Sequence, residues 1–250
     1  MIQALRYLRS AIGEFYFDLP RMLLLNLFWF ATALPFIGVA FVVTLTIRGE
    51  GPVEWPVIAI QAAVLGAVTL ALAGPGTAAI YHVTNRLANG ELLELHRFWP
   101  AFRRYFWRGW LLGLADVGAG GLILLNIWFY FNLDRSGSWL LGVVFTYLFV
   151  IWVAIQSYVF ALLVEMDQAV RLVIRNALFM AIDNLGLTLG LMLVNVVVIA
   201  VSILPGAFLL ALATMAVLSN VNNKAVVDSI NRYRAAGRII AGDSRAGGGG

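Results

Sequence analysis

Five continuous apolar runs, at 22–47, 57–81, 110–131, 139–164 and 185–204, constrain this chain more than any other feature. About 20 predominantly apolar residues are needed to cross a ~30 Å hydrocarbon core as an α-helix, which rises ~1.5 Å per residue. Barrel strands would alternate apolar and polar residues, and these runs do not. Only 12% of the residues are charged, against roughly a quarter in soluble domains, and 62% are hydrophobic. The mean hydropathy is +0.88. The expected fold class is all-α: a polytopic transmembrane helix bundle forming one domain. A sixth, shorter run at 206–219 follows Leu204-Pro205-Gly206, a sequence that predicts a tight turn or kink.

Orientation follows from the arginines. With about six spans and both termini cytoplasmic, the inner segments hold Arg6, Arg9, Arg21, Arg86, Arg97, Arg103, Arg104, Arg108, Arg171, Arg175, Lys224, Arg232, Arg234, Arg238 and Arg245. The outer loops hold only Arg48 and Arg135. Cytoplasmic loops carry the excess of Lys and Arg, so this count sets both the span number and the hand of the topology. The first run is far too long for the apolar core of a cleavable signal peptide, and none is expected.

Three stretches between or beside the runs read as amphipathic helices on the cytoplasmic side. Residues 1–21 place Leu5, Leu8, Ile12, Phe15 and Leu19 on one helical face, which suits an N-terminal interfacial helix. Residues 96–110, HRFWPAFRRYFWRGW, interleave Arg97, Arg103, Arg104 and Arg108 with Phe98, Trp99, Phe102, Tyr105, Phe106 and Trp107, and Pro100 falls in a first helical turn. Such a mixture in a soluble protein could stack on single-stranded nucleic acid. Between two spans it fits headgroup depth, with aromatics inward and arginines at phosphates or at a cytoplasmic partner, and no nucleic acid is expected. The third, at 165–184, sets Val170, Val173, Ile174, Ala177, Leu178 and Ala181 against Asp167, Arg171 and Arg175. It either covers the bundle at the interface or couples to a partner, as cytoplasmic helices of transporters couple to ATPases. The domain reading is therefore 1–21 as the interfacial helix, 22–220 as the transmembrane domain, and 221–250 as a basic cytoplasmic tail, disordered at its GDSRAGGGG end.

Inside the spans, Gly74-Pro75-Gly76 breaks the second run just before its cytoplasmic end. Gly74, Gly76, Ala78 and Ala79 are small enough to admit a neighbouring helix, and Pro35, Pro75 and Pro205 are candidate kinks. Asp116 lies about two turns into the third span. It is either a contact for an ion, proton or substrate, or a structural hydrogen-bonding acid. Asn26, Gln61, Asn126, Gln156 and Asn195 read as interhelical hydrogen-bonding residues. No catalytic, cofactor-binding or metal-ligating pattern is present. There are no cysteines, only His82 and His96, and no H-E-x-x-H, G-x-S-x-G or Walker A. Glu91 and Glu94 are expected on one helix face, without a metal-ligand context.

Asn26-Leu27-Phe28-Trp29, the LPFIG of 34–38, the GPGTAAIYHVTNRLANGE block, Phe98 with the aromatic-basic 102–110 stretch, and Arg175-Asn176-Ala177-Leu178 followed by Asp183-Asn184 resemble the YesL-like membrane proteins of the DUF624 family. The chain departs from that pattern in a long insert, containing 48–55, between Pro35 and Gly74. The resemblance implies a bacterial cytoplasmic-membrane protein without an established activity, in a family often associated with carbohydrate ABC importers. Combined with the two amphipathic internal loops, it gives the functional expectation: a non-enzymatic accessory subunit, with the lipid bilayer and other membrane subunits, such as a permease or ATPase, as partners. Two alternatives stand beside it. One is a small-solute transporter built around Asp116 and the three prolines. The other is a structural or assembly subunit of an energy-transducing membrane complex.

Overall fold

The computed structural model describes residues 2–48, 55–133, 135–203 and 210–237. Among the described residues the chain forms nine α-helices and no strand: α1 (Ile2–Phe17), α2 (Leu19–Arg48), α3 (Trp55–Ala88), α4 (Phe98–Arg104), α5 (Phe106–Asn132), α6 (Ser138–Met166), α7 (Val170–Asp183), α8 (Leu185–Ile203) and α9 (Met215–Ala235). A single 3₁₀ turn, Leu95–Arg97, precedes α4, and a π-helical turn, Leu210–Thr214, leads into α9. Pro205 and Gly206 lie outside the described residues, as do 238–250.

Helices α5, α6 and α8 are long and apolar enough to cross a membrane. Helix α1 and the first part of α2 meet at 103° and add a fourth span if the bent pair counts as one. The chain is thus a helical membrane protein. The outer sides of these helices agree with that solvent. Leu122, Leu125 and Trp128 on α5, Val144, Tyr147 and Ile151 on α6, and Leu189, Leu193 and Val196 on α8 are all exposed. A contiguous apolar surface of this extent is unstable in water and ordinary against acyl chains.

Helix α3 runs unbroken through Gly74-Pro75-Gly76, and its neighbours approach closely there. A Cβ on Gly74 would lie 2.3 Å from the carbonyl oxygen of Gly109 on α5, and one on Gly76 would lie 2.0 Å from the Thr32 hydroxyl on α2. Ala78 and Ala79 continue the crossing and are fully buried. On the α2 side, the Trp29 indole donates to the Thr77 hydroxyl at 3.0 Å, and that hydroxyl donates to the Ala73 carbonyl at 2.9 Å. Pro35 sits inside α2, which continues past it.

The centre of the molecule is α9. It packs on α1, α3 and α6 and buries Ser219, Asn220, Asn222, Asn223 and Ser229 together with Val221, Ala225, Val226 and Ile230. Residues 221–235, which hydropathy assigns to a cytoplasmic tail, therefore continue this helix. Two local readings are corrected. The 96–110 stretch is two helices rather than one: Tyr105, with φ −95° and ψ 9°, ends α4, and α5 restarts at Phe106. Glu91 and Glu94 lie in the extended segment before the 3₁₀ turn, not on a helix, because α3 closes through the positive-φ Gly90.

Candidate functional site

One end of the bundle gathers a cluster of charged side chains. It comprises the C-terminal end of α3, the 91–97 segment, α4, the first turns of α5, the α6–α7 turn and α7. At its middle stands Asp167, a non-glycine residue at φ 49°. Aspartate tolerates that left-handed conformation better than most residues. Here it turns the chain sharply out of α6 and points the carboxylate back at α4 and α5. Arg104 donates to Asp167 Oδ2 at 2.5 Å. Arg108 donates to Oδ1 at 2.6 Å and to the Asp167 carbonyl at 3.1 Å. One acid thus holds two of the arginines singled out from sequence.

The others are placed differently. Arg97 pairs with Glu94, which also faces Arg86 at 3.7 Å, while Arg86 pairs with Glu91. Arg97 is the main cause that holds the Glu94 carboxyl below the usual glutamate range; the Arg86 and His96 charges act in the same direction. Arg103, Arg171 and Arg175 are exposed. A second link crosses the same end: Asn85 on α3 and Asn89 just past its end donate to Glu165 Oε2 at 3.1 and 3.2 Å. The α4–α5 aromatics form a run of edge contacts. Ring centroids are 5.7 Å apart for Trp99 and Phe102, 5.9 Å for Phe102 and Phe106, 5.5 Å for Phe106 and Trp107, and 5.9 Å for Trp107 and Trp110. Trp99 and Trp107 are exposed. Exposed tryptophan beside arginine is the pattern of a headgroup-level belt.

Beneath this face lies an amide network around α9. Asn222 donates to the Tyr81 hydroxyl at 2.9 Å. Asn195 on α8 donates to Ser157 on α6 at 2.9 Å and to Asn222 at 3.3 Å. Asn26 on α2 accepts the Ala216 N–H at 2.9 Å, which satisfies one of the open donors in the first turn of α9. Toward α1, Asn220 donates to Glu14 at 2.8 Å, Lys224 pairs with the same carboxylate, and the Tyr7 hydroxyl donates to Asp228 at 2.5 Å. These bonds fix how α1, α3, α6 and α8 are set around α9, although the side-chain oxygens of Asn195, Asn220 and Asn223 are buried without a hydrogen-bond partner.

Asp116 is separate from both groups. Its carboxylate accepts a hydrogen bond from the Gln156 amide of α6, and the pair lines a cleft of about 110 Å³ between α5 and α6, bordered by Ile174 of α7. Of the residues marked by sequence, the structure therefore brings together Arg104 with Arg108, Asn26 and Asn195 with α9, and Asp116 with Gln156. Sequence reasoning missed Asp167 as the shared acid, and Tyr81, Asn222 and Asn223 as core groups. The N-V-N-N-K stretch held the available signal: three asparagines in four residues beside an apolar run. Among the described residues no group of three or more His, Asp or Glu is arranged to hold a metal ion.

No curated protein and no solved structure matches the chain. Residues 22–127 match the family model described as Protein of unknown function, DUF624. That segment holds Asn26, the Gly74-Pro75-Gly76 crossing, Tyr81, Asn85 and the α4 aromatics, so from α2 into α5 the chain carries the DUF624 pattern that its motifs resemble.

Proposed function

We propose that this protein is a non-enzymatic integral subunit of a bacterial inner-membrane complex. In this reading it spans the bilayer six times, keeps both termini in the cytoplasm, and serves a carbohydrate ABC importer by docking on a permease or ATPase. The importer is the part supplied by the family resemblance. The observation that supports docking is α7. It buries Val173, Ala177, Met180 and Ala181 against the bundle, yet Ile174, Leu178, Phe179 and Ile182 remain exposed beside Arg171 and Arg175. An amphipathic helix that merely covers a bundle needs one apolar face; α7 has two. The Asp167 links to Arg104 and Arg108 fix its start relative to α5. A rigid, half-apolar, basic helix is suited to a groove in a partner.

Purification of the intact protein from its native membrane in a mild detergent tests this. A permease or ATPase in fixed stoichiometry is the expected result, with Phe179→Asp reducing recovery at least fivefold. Repeated isolation of the chain alone overturns it. The topology is tested separately by a reporter fused after residue 245, which should report from the cytoplasm. Asp116 in its cleft favours the second reading, a small-solute transporter. Assembly into an energy-transducing complex would instead show as co-migration with that complex on native gels.

A further inference from the structure

We propose that the cleft between α5 and α6 binds a lipophilic organic cation, an amine or quaternary ammonium with an apolar body, and that the Asp116 carboxylate is its counter-ion. The inference rests on the membrane placement of α5 and α6 and not on the accessory role.

Asp116 is an acid that no cation faces among the described residues. Asp116 stands ten residues after Phe106, about 15 Å along the helix axis from the headgroup end of α5. A carboxylate at that depth is costly unless a positive charge or water reaches it. Its partner, Gln156, is neutral: it orients the carboxyl but balances nothing. Among the described residues no ion pair is made to Asp116, and the nearest arginine in sequence, Arg108, is committed to Asp167. The position lacks a cation and has room for one.

The walls define which cation. Trp152 forms one side, its indole N–H buried beside the Asp116 carboxyl and its ring stacked on Phe149 at 5.5 Å between centroids. The ring lies against Gly120, where a Cβ would be only 2.6 Å from Cζ2, so glycine is what allows the indole to lie flat on α5. With its faces covered by Phe149 and Gly120, the indole presents its N–H edge to Asp116, so the attraction for a cation comes from the carboxylate charge and the ring walls the site. The rest of the lining is apolar, with Leu112, Ala115, Ala119, Ile155 and Val159, and Ile174 of α7 borders it. A hydrated metal ion would find no further oxygen ligands there, and an anion would be repelled. The cleft holds about 110 Å³, less than a drug-sized ligand needs, so it seats a compact ammonium group while the apolar body extends out through its open side. Ala115 and Ala119 are on the outer side of α5 and leave the mouth open sideways, so a ligand dissolved in the bilayer reaches it without crossing the protein.

The test uses the full chain in a non-ionic detergent and benzyltrimethylammonium as the probe, with binding read by titration calorimetry. Saturable binding at one site is expected. Asp116→Asn, which keeps the shape and the Gln156 contact, should weaken it at least tenfold; Asp116→Glu should retain it within threefold; Trp152→Leu should weaken it several-fold. Neopentylbenzene, the uncharged carbon isostere, should not compete. The last comparison needs no variant, so it stands even if a substitution destabilises the fold. Absence of saturable binding, equal binding by Asp116→Asn, or competition by the neutral isostere overturns the proposal.

Discussion

Asn223 on α9 donates its side-chain amide to the backbone carbonyl of Tyr81 on α3 at 2.8 Å, tying together two positions 142 residues apart. The same amide reaches the Thr84 hydroxyl at 2.9 Å. Both ends are fully or almost fully buried. Asn223→Ala should therefore lower stability by roughly 1–3 kcal/mol, because the Tyr81 carbonyl loses a donor where no water replaces it. Unfolding in mild detergent, followed by circular dichroism, measures this. A change below about 0.5 kcal/mol, the usual range for surface substitutions, would mean that the bond contributes nothing net.

A second prediction compares two glycines of one bundle. Gly74→Ala pushes a methyl into the Gly109 carbonyl and should cost about 1–3 kcal/mol by forcing α3 from α5. Gly118 on α5 has nothing within 4 Å of its would-be Cβ. Gly118→Ala should be neutral or raise stability by up to ~1 kcal/mol through helix propensity. Equal effects of the two substitutions would refute the backbone crossing.

At Asp167 geometry and charge can be separated. Asp167→Asn keeps the left-handed turn accessible and removes the charge, and Asp167→Val removes both. Arg104 and Arg108 are about half exposed, so the ion pairs should be worth only ~0.2–1 kcal/mol and should weaken with salt. The valine variant should lose a further ~1–3 kcal/mol for the strained φ. Hydrogen exchange of 165–172 should accelerate modestly in the first variant and strongly in the second. The same order should persist in 1 M salt.

Acid should loosen the 91–97 segment. The hydrogen bond from Arg97, aided by the Arg97 and Arg86 charges, holds Glu94 below its ordinary value of 4.5. A carboxyl lowered in the folded state binds fewer protons there than in the unfolded chain, so it contributes stability above pH 4.5 and loses it as the pH falls through the folded value. Between pH 6 and pH 3 the parent should lose its thermal advantage over Glu94→Gln. Parallel curves would show that the pairing adds nothing.

Much of the fold was legible because a membrane span is a statement about length and composition, which needs no partner. The runs that became α5, α6 and α8 are of that kind. Gly74-Pro75-Gly76 was legible as a crossing because small residues in a span have few other uses. Gly109, its opposite number, was not, since it fell in a stretch read as surface. The largest gap was α9. A hydropathy reading scores Asn220, Asn222 and Asn223 as groups seeking water, and nothing local says that Tyr81, Asn195 and Glu14 will serve instead. Arg104 and Arg108 stood out by type, but Asp167 lies 63 and 59 positions away from them. Tyr105 ended α4 although the aromatic-basic spacing ran on through it, because periodicity does not mark where a chain turns.

The bonds from Tyr7 to Asp228 and from Glu14 to Lys224 join α1 to α9 over more than 200 positions. While the nascent chain is still being threaded into the bilayer, α1, α3, α6 and α8 have no centre to close on, and the Tyr81 carbonyl lacks its Asn223 donor. Ribosomes that stall before α9 emerges would leave a bundle with a polar hole along its axis, a feature by which a membrane protease could tell the unfinished product from the mature one.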